Sequence, residues 1–196
     1  NQAYSFSQLD ANKKSNRLNL PENISDYFGL KASFLGDSIT RGYIPANSPG
    51  YVGTLNSFAK LVCEDLGMVI QNEGIDGSTV AKKDAGVAFS MAERYTDLDD
   101  DSDLIVVMGG TNDVRTSVPI GVMADRVLTT FYGSLHILCE GLLDKYQNSQ
   151  IGVNADEKQI VFCTAIKLGT TYGALDIQAY NAAMKEVCSY YSIPVF

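Results

Sequence analysis

The stretch Phe34-Leu35-Gly36-Asp37-Ser38-Ile39-Thr40-Arg41-Gly42 decides how this chain is read. An apolar run from Ala32 to Leu35 stops at Gly36, and a hydroxyl follows two residues later between Asp37 and Thr40. A short apolar run, a glycine and then small polar residues mark the end of a buried parallel strand. In open α/β sheets, ligands lie at the carboxyl ends of the strands. Ser38 would stand at such an end. Either it is a turn serine that bonds locally, or it is a nucleophile.

Working outward, the pattern repeats. Strands are predicted near 68–71, 104–108 and 159–164. Helices are predicted over about 51–66, part of 86–95, about 122–146 and 177–191. Pro194-Val195-Phe196 reads as the opening of a fifth strand. Strand alternating with helix implies a parallel sheet covered on both faces, so the fold class is α/β, a three-layer α/β/α sandwich. At 196 residues and 45% hydrophobic, the chain is sized for one domain with one sizeable core. That domain is read as 31–196. Residues 1–30, polar and weakly patterned, form a lead-in or linker.

A net charge of -8 and a pI near 4.5 argue against a nucleic-acid partner, which needs clustered Lys and Arg. No apolar run is long enough to span a bilayer. The expectation is a soluble protein; neither localisation nor oligomeric state is fixed by the sequence. The chain begins at Asn1 without a basic-then-apolar leader, so residues are expected to precede it in the encoded protein. Cys63, Cys139, Cys163 and Cys188 form no C-x-x-C pair and have no histidine at ligand spacing. They are read as buried thiols, with disulfides the alternative that spacing leaves open, and no metal and no cofactor expected.

Three strand ends carry the chemistry. The first ends in Gly36-Asp37-Ser38, the second in Asn72-Glu73-Gly74-Ile75-Asp76-Gly77, the third in Gly110-Thr111-Asn112-Asp113. In a parallel sheet they emerge on one edge, where a hydroxyl, a glycine N–H and an asparagine amide can converge. Acyl transfer needs that set: a nucleophile, and donors aimed where the carbonyl oxygen becomes negative.

Gly-Asp-Ser-Ile at 36–39, Asn-x-Gly-x-x-Gly at 72–77 and Gly-Thr-Asn-Asp at 110–113 resemble, in order and spacing, the first three blocks of the SGNH (GDSL-type) hydrolases. The resemblance covers about Lys31 to the C-terminus. It implies a flavodoxin-like, five-stranded parallel sheet and metal-free ester hydrolysis. By motif match it makes Ser38 the nucleophile. The oxyanion hole would be the Ser38 N–H, the Gly77 N–H and the Asn112 side chain. Asp37 and Asp113 would bond loop backbone. The substrate would be a small-molecule ester, a lipid or an O-acetylated glycan, the last favoured because no long apolar lid is visible.

One departure is serious. The family's Asp-x-x-His block is absent from these residues, and the single histidine is His136. On a helix starting near 122 it would lie about 14 residues in, roughly 20 Å from the strand-end edge at about 1.5 Å per residue. The expectation is that His136 is structural, that this chain alone is a poor esterase, and that the missing block lies in a tail beyond Phe196 or on a separate chain. The alternative is a catalytically silent glycan- or ester-binding module. A flavin- or nucleotide-binding protein is a more distant reading, because no Gly-x-Gly-x-x-Gly follows the first strand.

Overall fold

The computed structural model describes residues 26–43, 57–82, 90–148, 158–166 and 177–196. Four parallel strands are β1 (Lys31–Gly36), β2 (Val69–Gly74), β3 (Leu104–Met108) and β4 (Gln159–Cys163), in the order β2-β1-β3-β4. Val195 makes a parallel bridge to Phe162 beyond β4, where the fifth strand was expected. The helices are α1 (Ser38–Arg41), α2 (Phe58–Leu66), α3 (Met91–Arg94), α4 (Thr111–Arg115), α5 (Phe131–Leu143) and α6 (Ile177–Tyr190).

Side-chain alternation divides the strands between two cores. Ala32, Phe34 and Val106 point to one face, where Ala59 and Cys63 of α2 cover them. Leu35, Ile105, Val107, Ile160 and Phe162 point to the other, where Met91, Leu135, Leu138, Met184 and Val187 cover them. Strands buried on both faces are the reason that these sequences read as continuous apolar runs. The result is an α/β sandwich with a parallel sheet as its middle layer. Among the described residues no helix is long and apolar enough to cross a membrane.

Two expectations are corrected. The strand predicted at 68–71 runs on to Gly74, with Asn72 opposite Phe34 and Gly74 opposite Gly36. At a sheet edge one flank of the strand is free for polar side chains, and here Asn72 uses its amide to bind the Thr40 carbonyl, 2.8 Å away. The helix predicted over 122–146 begins only at Phe131. Thr130 caps it by accepting from Gly133 N, while Phe131 N and Tyr132 N bond back to Pro119 O and Ile120 O. The chain from 118 to 130 therefore folds back on the start of the helix, which continues past Leu143 as a π turn at Asp144–Asn148. His136 is thus the sixth residue of α5, and the helix arithmetic above does not apply.

Other expectations fall partly outside the described residues. Residues 1–25 of the lead-in, 51–56 of the second predicted element and 83–89 are among these. Tyr27 to Leu30 form a turn tied to α2 through Gly29 N and Gly67 O. All four cysteines are free, and Cys63, Cys139 and Cys188 are buried while Cys163 is half-buried.

Candidate active site

β1, β2 and β3 end level with one another: Gly36 stands opposite both Gly74 and Met108. The chain leaves each end in a short, tightly held turn. After β1, Asp37 caps α1 by accepting Ile39 N at 2.8 Å. Ser38 is the first residue of α1 and is half-buried. Its backbone N–H has no acceptor among the described residues, as is usual for an N–H in a first helical turn.

After β2 the two glycines of the Asn-x-Gly-x-x-Gly block do different work. Gly74 N donates to Asn72 Oδ1 at 3.0 Å. A Cβ on Gly74 would lie 2.3 Å from Arg41 N, so only glycine lets β2 meet α1 there. Gly77 has φ +77° and nothing within 4 Å of where a Cβ would be. Its N–H has no acceptor among the described residues. Of the two, Gly77 alone keeps a donor and open space beside it.

After β3, Asn112 and Asp113 lie in the first turns of α4 and are buried. Asn112 Nδ2 donates to Ser78 O at 3.0 Å and lies 3.4 Å from Asp37 Oδ2. One side chain therefore ties the residue before Ser38 to the residue after Gly77. Arg115 Nη1 holds the other end of the amide, donating to Asn112 Oδ1 at 3.1 Å, which fixes which way Nδ2 points.

Two carboxyl groups are buried under the turns. Asp113 accepts from Val80 N at 2.8 Å and from Ala81 N at 3.0 Å. Burial nonetheless pushes its pKa up to about 6 against those two bonds. Asp37 is also raised, by burial, with the Ile39 N–H and the Arg115 charge opposing. Both aspartates bond loop backbone, as the sequence led us to expect.

The structure adds residues that the motifs did not flag. Arg94, buried in α3, donates from Nη1 to Glu73 O at 3.0 Å and from Nη2 to Gly36 O at 3.2 Å and Ser78 Oγ at 3.0 Å. Burial lowers its pKa. At the rim, Arg41 of α1 pairs with Asp76 of the glycine loop at 2.6 Å, both partly exposed. Each links positions far apart in the chain through backbone carbonyls or loop side chains, and no local spacing announces such a contact.

His136 is fully buried between α5 and α6. Nε2 lies 3.0 Å from Met123 O, an acceptor only, so Nε2 carries the hydrogen; Nδ1 lies 2.8 Å from Tyr191 Oη. Burial lowers its pKa. Its polar contacts thus lie with Met123 and Tyr191, not with the residues of the three strand ends.

Solved structures with this arrangement of sheet and helices are numerous. A protein from Lactobacillus plantarum is 28% identical with a TM-score of 0.68, the match covering 85% of this chain and 76% of that one. A protein from Bacteroides uniformis described as a GDSL-like lipase is 24% identical with a TM-score of 0.62, covering 85% and 81%. A carbohydrate acetylesterase family member from Sinorhizobium meliloti is 17% identical with a TM-score of 0.57, covering 85% and 82%. The last two are likenesses of fold. No curated sequence matches the chain significantly. The model of the GDSL-like lipase/acylhydrolase family matches residues 34–196, which takes in all three strand ends and their turns. The chain belongs to the GDSL-like lipase/acylhydrolase family, a family of ester hydrolases.

Proposed function

We propose that the protein is a serine ester hydrolase in which Ser38 is the nucleophile and the Ser38 N–H, the Gly77 N–H and Asn112 Nδ2 hold the oxyanion. The observation that carries this reading is the Asn112 tether: its amide bonds Ser78, next to Gly77, and approaches Asp37, next to Ser38. Two backbone N–H groups without acceptors flank that tether. The Asp37 contact, at 3.4 Å, is at the weak end for a hydrogen bond. Its proton is the one that would turn to the substrate.

In this reading Ser38 Oγ attacks the ester carbonyl carbon and its proton passes to a base. The tetrahedral intermediate collapses with cleavage of the carbon–oxygen bond, and the protonated alcohol leaves. Water then repeats the attack on the acyl-enzyme and releases the acid. The base is not His136, whose two nitrogens are engaged by Met123 and Tyr191. The substrate we favour is an O-acetylated carbohydrate. The polar rim of Arg41, Asp76 and Arg115 suits sugar hydroxyls, and the Sinorhizobium neighbour belongs to a carbohydrate acetylesterase family.

The engaged His136 also supports a second reading, a silent module that binds acetylated glycan without turning it over. Hydrolysis of an aryl acetate and of an acetylated oligosaccharide, with and without added imidazole as an external base, separates the two. Turnover that disappears in Ser38→Ala supports the esterase. Binding of the acetylated sugar with no Ser38-dependent turnover under either condition supports the silent module. Undiminished turnover by Ser38→Ala overturns the assignment of the nucleophile.

A further inference from the structure

Arg94 is a buried cation that grips oxygens at two strand ends. Its Nη2 donates at once to Gly36 O, the last carbonyl of β1, and to Ser78 Oγ, one residue beyond Gly77. Its Nη1 holds Glu73 O near the end of β2. A guanidinium is a rigid plane with donors in fixed directions, so these three oxygens are held at fixed separations.

The helix that carries Arg94 is itself fastened to the same loop. Met91 N donates to Thr79 O at 2.8 Å and Ala92 N to Val80 O at 3.3 Å. Ser90 and Glu93 close a capping box at the start of α3, and Glu93 pairs with Lys82 at 2.6 Å. Arg94 therefore cannot drift from the loop that it grips. From the other side, Asp113 holds Val80 N and Ala81 N, and Asn112 holds Ser78 O. The residues that follow Gly77 are clamped while the Gly77 N–H itself has no acceptor among the described residues.

We infer that Arg94 is a positioning residue for the ester hydrolysis. It acts through Ser78 Oγ and Gly36 O to set the distance between the Ser38 turn and the Gly77 N–H, and so the size of the oxyanion hole. The inference rests on the serine-esterase reading above. It assigns Arg94 no contact with substrate. A hole that opens loses the intermediate and keeps the bound ester, because the ester's neutral carbonyl draws little on these donors.

The experiment measures kcat and KM for an aryl acetate, and Ki for an arylboronic acid, whose serine adduct is tetrahedral and anionic. The proteins are the parent, Arg94→Gln, Arg94→Lys, Ser78→Ala and the Arg94→Gln/Ser78→Ala double variant. A misplacement of the hole on the ångström scale is expected to lower kcat about 10- to 100-fold in Arg94→Gln. KM should stay within about threefold, and Ki should rise by about the factor that kcat/KM falls. Ser78→Ala should move the same way by less, and the double variant should be no worse than Arg94→Gln, since both remove one linkage. Arg94→Lys should recover part of the loss.

Ki does not depend on the fraction of protein that is folded, so a merely structural role leaves it unmoved. A folded Arg94→Gln with kcat and Ki within twofold of the parent overturns the inference. If Arg94→Gln does not fold, Ser78→Ala decides alone, and unchanged kcat and Ki there overturn it equally. A fully active Ser38→Ala, or a parent that the boronic acid fails to inhibit, would instead bring down the nucleophile assignment on which the inference stands.

Discussion

Asn112 donates its side-chain amide to the carbonyl of Ser78 at 3.0 Å, joining the end of the third strand to the glycine loop of the second. The same amide lies 3.4 Å from Asp37. Asn112→Ala is expected to lower kcat by about 10² to 10³, the usual cost of losing one oxyanion donor. Asn112→Asp should be worse, since a carboxylate would face both the oxyanion and the Ser78 carbonyl. Steady-state kinetics on an aryl acetate check both; an Asn112→Ala variant within threefold of the parent removes Asn112 from the hole.

The two glycines of the loop should both lose stability on substitution by alanine, but to different degrees. Gly77 has room for a methyl group but a φ of +77°, so Gly77→Ala costs about 1–2 kcal/mol of backbone strain and keeps its N–H. Gly74→Ala drives a methyl group to 2.3 Å from Arg41 N and must pry β2 from α1. Urea unfolding should show the second variant losing more stability than the first.

Thr40 Oγ1 is buried and has no hydrogen-bond partner among the described residues. Removing an unsatisfied hydroxyl while keeping its shape relieves a desolvation cost. Thr40→Val is therefore expected to stabilise the protein by about 1 kcal/mol, read as a higher urea midpoint at unchanged slope.

Much of this was legible beforehand, for a physical reason. β1 and β3 are buried on both faces, so their runs are largely apolar, the hydrogen-bonded Ser33 of β1 excepted, and their ends abrupt, and the Ser38 and Asn112 turns could be placed from them. β2 ends at the sheet edge, where Asn72 and Glu73 are as acceptable as valine, and the sequence reads them as loop. Met123 and Val127 recur at helical spacing with the true α5 residues, yet the Thr130 cap starts the helix later. Arg94 left no trace at all, because Glu73 and Gly36 accept from it through their carbonyls, which every residue has.

Asp113 should give stability a pH dependence of definite sign. Burial raises its pKa from 3.8 to about 6, so the folded protein binds this proton more tightly than the unfolded chain. The stabilisation is complete below about pH 4 and is lost as pH rises through about 6. Asp113→Asn removes that dependence and also one acceptor for the Val80 and Ala81 N–H pair, at about 1–3 kcal/mol. The stability difference between parent and variant should shrink from pH 4 to pH 7; a constant difference would contradict the assignment.

His136 should act on stability with the opposite slope. Its pKa is lowered by burial from 6.5, so its contribution is present above about pH 6.5 and is lost as pH falls below it. His136→Ala empties a buried site and strands Met123 O, for about 3 kcal/mol, while Tyr191 Oη keeps its bond to Glu140. Ser38-dependent turnover per folded molecule should be unchanged; its abolition would make His136 the base after all.

Anyone reshaping this protein for new esters inherits a floor that cannot be redecorated. A methyl group on Gly36 would land 2.0 Å from Thr40 Oγ1, and one on Gly74 would meet the backbone of Arg41. A library randomised at those positions would mostly sample broken cleft floors. Arg41 and Asp76, which stand partly exposed at the rim, can change in size and charge without touching the sheet. In the proposed esterase, substrate range would then be set at the rim, above a floor too tight to accept one added methyl group.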